Sequence, residues 1–193
     1  MKKLSLLRTI ALVLTCTALA ISRTHVGADS GPAANASGIR VTTGNTFALV
    51  PTSDPTIFGH PVDGVAQVSS MGNAHFHGEG VVYFPTSVGQ PIRIVSTSPW
   101  TLTSSDGANT LKFDVDGTAT FDPANPLFGN VTYSVRFVGG TGKFANATGT
   151  GTMDVTAEFT SALGGLANWT MKGTVITPET EPTKPDSNHK TPR

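Results

Sequence analysis

The sequence predicts an all-β fold of eight or nine strands in one domain, and three observations carry that prediction. No stretch shows the i, i+3, i+4 apolar spacing of an amphipathic helix; apolar residues instead alternate with Thr, Ser and Asp. Clusters of Gly, Pro and Asn interrupt the alternation at short intervals, as turns between strands do. A glycine-rich stretch, Gly139 to Gly149, is flanked by two β-rich runs, 131–138 and 149–159.

Taken in chain order, the first element is a targeting segment. Lys2, Lys3 and Arg8 precede an apolar run over 9–22, and small-residue cleavage signatures follow at Ala18-Leu19-Ala20 and Val26-Gly27-Ala28. Residues 1–28 therefore read as a Sec-type signal peptide cleaved after Ala28, alternatively after Ala20, which makes the protein secreted or periplasmic. The apolar run is too short for a comfortable bilayer span, so no membrane span is expected after cleavage. Cys16, the only cysteine, lies inside this run behind Val13-Leu14-Thr15, a poor lipobox. The mature chain is then expected to carry no thiol and to rely on its own core. About 165 residues are enough for one such core.

Removing the signal also changes the charge. The chain has 13 Lys and Arg against 13 Asp and Glu, and the signal takes Lys2, Lys3, Arg8 and Arg23 with it, leaving nine against thirteen. A mildly acidic domain without a basic cluster argues against nucleic acid as a partner.

Residues 29–40 are rich in Gly, Ala and Ser and lack periodicity, so they read as a flexible leader. Residues 178–193 hold four prolines, mixed charges and no large apolar residue, the signature of a disordered polar tail. The folded domain then spans 41–177. Its strands are expected at 46–50, 62–71, 74–84, 92–98, 100–104, 110–121, 131–138, 149–159 and 168–176. Asp106-Gly107 marks the tip of the clearest hairpin, and 122–126 and 160–165 read as loops. Such a set of strands must deal with its edges. Closing into an eight-stranded antiparallel barrel removes them, and a two-sheet sandwich is the alternative.

The segment Phe137-Val-Gly-Gly-Thr-Gly-Lys-Phe-Ala-Asn-Ala-Thr-Gly149 resembles the Gly-Gly-Thr-Gly-x-Phe segment of allene oxide cyclases and dirigent proteins. It also resembles exported bacterial proteins expected to share that calycin-like barrel. The close match covers about fifteen residues. The resemblance implies an eight-stranded antiparallel β-barrel with an apolar lumen, and a homo-oligomer, a trimer. Within the motif Gly139, Gly140, Thr141, Gly142, Phe144 and Gly149 are structural: the glycines let the backbone turn sharply, and Phe144 caps the barrel end or fills its interior. A phosphate loop is rejected, because Phe144 rather than Ser or Thr follows Lys143 and a strand rather than a helix follows the loop.

Ala74-His-Phe-His-Gly-Glu-Gly80 is the best candidate for chemistry. On a strand His75, His77 and Glu79 share one face, and two imidazoles with a carboxylate are reasonable ligands for zinc, iron, manganese or copper. The spacing is similar to a cupin's His-x-His with a following Glu, although Glu79 comes too early. In the bland reading these three lie on a solvated outer face while Phe76, Gly78, Gly80, Val82 and Phe84 point inward, and that alternation is the better fit. Asp114 and Asp116 also share a face, as a buried acid–base pair would, or as an outward face does. There is no mature cysteine nucleophile and no Gly-x-Ser-x-Gly elbow. Trp100, Trp169, Tyr83 and Tyr133 are candidates for cavity lining or for core and rim. Asn35, Asn130, Asn146 and Asn168 head formal glycosylation sequons that chance explains in so Thr-rich a chain. No motif calls for a cofactor.

Three functions are compatible with these residues. The first is an extracellular barrel that binds a small apolar ligand or serves an interaction role. The second is a cyclase- or isomerase-like enzyme, which requires a carboxylate or His buried in the lumen. The third is a cupin-like metal enzyme, which requires His75, His77 and Glu79 to converge inward.

Overall fold

A computed structural model describes residues 34–87, 90–122 and 124–178. The expected signal peptide over 1–28 with Cys16, residues 29–33 of the expected leader and residues 179–193 of the expected tail lie outside the described residues.

Ten strands follow in order: β1 Ala34–Ala48, β2 Val50–Pro51, β3 Ile57–Val68, β4 Gly72–Tyr83, β5 Ile92–Ser96, β6 Trp100–Ser104, β7 Thr110–Asp122, β8 Asn125–Thr141, β9 Thr148–Ser161 and β10 Gly164–Pro178. A one-turn 3₁₀ segment, Gly142–Phe144, joins β8 to β9. All pairings are antiparallel and join strands that are next or next but one in sequence, except that β10 returns to pair with β1 from Ala34↔Pro178 to Ala48↔Gly164. The sheet therefore closes on itself.

Ten strands occupy eight places in the ring. β2 continues β1 along β3, because Phe47↔Val62 and Val50↔Gly59 lie on one register. β5 and β6 together fill one place between β4 and β7, with a register offset at residues 97–99. There the Val115 N–H donates to Ser96 Oγ at 3.0 Å, and the Ser96 hydroxyl donates to the Val115 carbonyl at 3.3 Å. A side chain thus holds the ladder where the backbone bulges away. The result is the expected eight-place antiparallel barrel; the sandwich is set aside because no open edge remains.

Residues 34–40 are a correction to the leader. They form the first half of β1 and pair with Lys172 to Pro178, so the strand domain starts at Ala34 rather than at 41. The loops expected at 122–126 and 160–165 are also shorter, since β8 starts at Asn125 and β9 and β10 leave only two residues between them.

One end of the barrel is packed solid. Ile39, Val41, Val68, Leu102, Leu111, Phe113, Phe137 and Met171 fill it, and Phe144 is buried beside them. The glycine-rich motif builds this closed end. Lys112 pairs with Gly139 but Phe113 pairs with Phe137, so Val138 is the extra residue of a β-bulge, and Gly139 takes φ +121° to make it. Gly149 sits at φ +130° where a Cβ would lie 2.0 Å from the Thr174 carbonyl oxygen. The Lys143 N–H donates to Asn109 Oδ1 at 3.0 Å, and Lys143 Nζ donates to the Ser70 carbonyl. These contacts tie the β8–β9 connection to two neighbouring turns.

Candidate functional site

The opposite end of the barrel holds the candidate site. A cavity of about 60 Å³ lies in the lumen there, lined mainly by apolar side chains including Phe47, Val62, Phe76, Trp100, Met153 and Trp169. Toward the mouth the partly buried rings Phe58 and Phe84 stack edge-to-face at 5.3 Å, and Phe121 and Phe159 meet at 5.8 Å. Deeper in, Tyr133, Trp100, Phe76 and Trp169 form a continuous aromatic chain with centroid spacings of 5.8, 5.5 and 5.0 Å. Such edge-to-face pairs are preferred over sandwiches because the ring edge is positive and the face negative.

Among the described residues no Asp, Glu, Lys or Arg lines this cavity. Its polar groups are Asn45 on β1, His60 on β3, Tyr133 on β8 and the two indoles. His60 is there for a structural reason. Pro61 has no N–H to give the β1–β3 ladder, and the pairing lapses at Ala48 and Leu49. His60 Nδ1 instead donates to the Ala48 carbonyl at 3.3 Å, and the Leu49 N–H turns to the Leu163 carbonyl at 2.8 Å. A carbonyl only accepts, so the neutral ring carries its proton on Nδ1 and leaves Nε2 as an acceptor. Burial pushes the His60 pKa from 6.5 down to about 4, against the smaller opposing effect of the Ala48 bond. Burial likewise raises the Tyr133 hydroxyl well above its usual value. At neutral pH both groups are uncharged.

Asn45 donates Nδ2 to the Thr46 carbonyl at 3.0 Å, while its Oδ1 is buried without a partner among the described residues. The Trp100 indole N–H donates to the Glu79 carbonyl at 3.0 Å.

The residues singled out from sequence fall elsewhere. On β4 the alternation is regular: Ala74, Phe76, Gly78, Gly80 and Val82 are buried, and His75, His77 and Glu79 are exposed on the outside. His77 Nδ1 lies 2.9 Å from Asp63 Oδ1 across the β3–β4 pair. Among the described residues no group of three or more His, Asp or Glu is placed to hold a metal ion. The cupin-like arrangement, which needs these side chains to converge inward, is therefore corrected: strand alternation sends all three outward. Asp114 and Asp116 also face out, each held by an arginine of a neighbouring strand. Arg136 Nη2 meets Asp114 Oδ2 at 2.6 Å, and Arg93 binds Asp116 through two bonds of 3.1 and 2.7 Å. They form separate ion pairs rather than an acid–base dyad. Of the four aromatics weighed, Trp100, Trp169 and Tyr133 line the cavity, and Tyr83 is 40% exposed on the outer face.

His60 and Asn45 were missed by the sequence reading as lumen residues. The signal was present: counting back by twos from Val68, Ala66 and Val62 puts His60 on the inward face, but the strand was expected to start at Val62.

Among solved structures the chain is similar to a pterocarpan synthase dirigent protein, with a TM-score of 0.43 and 13% identity, covering 78% of this chain and 90% of that one. No protein-family model matches the chain, and no curated protein matches it. The closed antiparallel ring rests on the strand pairings themselves.

Proposed function

We propose that this chain is an exported β-barrel that binds a small, neutral, apolar molecule in its lumen. The observation that carries the reading is the cavity: it is bordered by aromatic and aliphatic side chains, and among the described residues no formally charged side chain lines it. Sites of this composition gain affinity from apolar burial and orient their ligand through a few polar groups. The cavity admits a small molecule only. At about 60 Å³ it is less than half the size of an apolar cavity of about 150 Å³ that admits benzene.

Export rests on the signal-like segment over 1–28, and self-association rests on the family resemblance together with exposed Phe128 and Leu166 on the outer face. Size-exclusion of the secreted material tests both.

Trp100 and Trp169 are the only tryptophans, and both line the cavity, so their emission reports on its contents. Titration with short hydrocarbons is expected to shift that emission saturably. An unchanged spectrum with every small apolar probe, together with native mass spectra showing an empty protein, would sink the reading.

A second reading, an isomerase-like enzyme, is favoured by one observation: His60 is a neutral imidazole buried in the lumen beside the cavity. It predicts that His60→Gln abolishes turnover of a bound substrate while leaving its affinity in place.

A further inference from the structure

Five side chains lining the lumen cavity carry an N–H or O–H: Asn45, His60, Trp100, Tyr133 and Trp169. Three of them already direct a donor at a backbone carbonyl, namely those of Thr46, Ala48 and Glu79. The Tyr133 hydroxyl and the Trp169 indole N–H have no acceptor among the described residues. Tyr133 is 97% buried and lines the cavity. A buried donor without an acceptor costs the desolvation of that group, and native interiors rarely leave one so.

The chemistry of the missing acceptor follows from the rest of the wall. An anionic oxygen is disfavoured, because among the described residues no Lys or Arg lines the cavity and an uncompensated charge in such a site is expensive. A hydroxyl can also accept from Tyr133, but its own proton must then reach Asn45 Oδ1 on β1 or His60 Nε2 on β3, whereas the ring neighbour of Tyr133 is Trp100 at 5.8 Å. A carbonyl oxygen is a strong neutral acceptor with two lone pairs and no donor of its own.

We propose that the lumen's ligand is a small neutral carbonyl compound, of the ketone, ester or lactone class, whose oxygen accepts a hydrogen bond from the Tyr133 hydroxyl, with the Trp169 indole as the second available donor. This rests on the ligand-binding reading above and adds a chemical class to it. Tyr133 is then a specificity-determining residue: it separates a carbonyl compound from the hydrocarbon of the same shape.

The test compares acetone with 2-methylpropene, which replaces the oxygen by a CH₂ group at nearly constant shape and is small enough for the cavity, using NMR titration of the purified full chain. The ketone is expected to bind roughly three- to tenfold more tightly, the worth of one neutral hydrogen bond. Tyr133→Phe should cancel that preference, and because it removes an unpartnered hydroxyl the variant should melt at or above the parent temperature. The infrared C=O stretch of bound acetone should lie at lower frequency in the parent than in Tyr133→Phe. Equal affinities in the parent, or an unshifted stretch, overturn the carbonyl assignment while hydrocarbon binding leaves the ligand-binding reading standing. Binding of neither probe overturns both.

Discussion

The indole of Trp100 rests directly on Gly78, the residue across the β4–β6 pairing whose backbone it covers. A Cβ built at Gly78 would lie 2.6 Å from the indole ring atoms. The same indole donates its N–H to the carbonyl of Glu79, the next residue along β4. One outward residue, Glu79, thus anchors an inward ring through its backbone alone, and the missing side chain of Gly78 makes the space for it.

From this contact Gly78→Ala is expected to destabilise the barrel by ~1–3 kcal/mol, the usual cost of overpacking a close-packed interior. Chemical denaturation measures it. The cavity should also change shape, because Trp100 lines it; an alanine tolerated with unchanged stability and unchanged tryptophan emission would mean that the indole does not pack on this glycine.

His60 sets a pH dependence. Its folded pKa of about 4 lies below the 6.5 of the unfolded chain, so between those values the unfolded state binds the extra proton. The stability it contributes is therefore complete above pH 6.5 and is lost as pH falls toward 4, by up to about 3 kcal/mol. His60→Gln, which keeps a donor for the Ala48 carbonyl but does not titrate, should flatten this part of the profile. A parent protein equally stable at pH 6.5 and pH 4.5 would contradict the buried neutral imidazole.

His75 and His77 lie on the solvated face of β4, and their replacement together by alanine is expected to change stability by less than about 1 kcal/mol. Ligand titrations should superimpose on those of the parent. Loss of a bound metal on substitution, read by elemental analysis, would restore a role for that face.

Phe144 closes the packed end. Phe144→Ala should cost about 3–5 kcal/mol, as large aromatic truncations in cores do. Because it lies at the end away from the cavity, the affinity of lumen ligands should move less than stability does; equal collapse of both would show that the two ends are not independent.

Much of this architecture is legible in the sequence. The alternation around Phe76 and Val82 places β4 almost to the residue, and residues 100–104 are an element as expected. Residues 34–40 were misread because their composition is that of a linker. Their backbone is ordered by pairing with β10, a long-range contact that local propensity does not carry. Pro126 invited a longer loop but sits at the exposed start of β8, where a missing N–H is tolerated. The candidate site was harder. His-x-His and the aspartate pair draw attention by residue type, yet strand phase turns them to solvent. The lumen's polar groups are solitary residues, each on a different strand, and only closure of the ring brings Asn45, His60 and Tyr133 to one cavity.

Ala34 and Pro178 are register partners on adjacent strands, so the first and last described residues lie side by side, at the end away from the cavity mouth. Topologically the protein is a ring of hairpins cut at one place. A short bridge between these two residues would let the cut be moved to a mouth-side turn such as 52–56 with every strand neighbour retained. The permuted chain should then keep the barrel while carrying its new ends beside the ligand entrance, where a reporter or a tether could be attached.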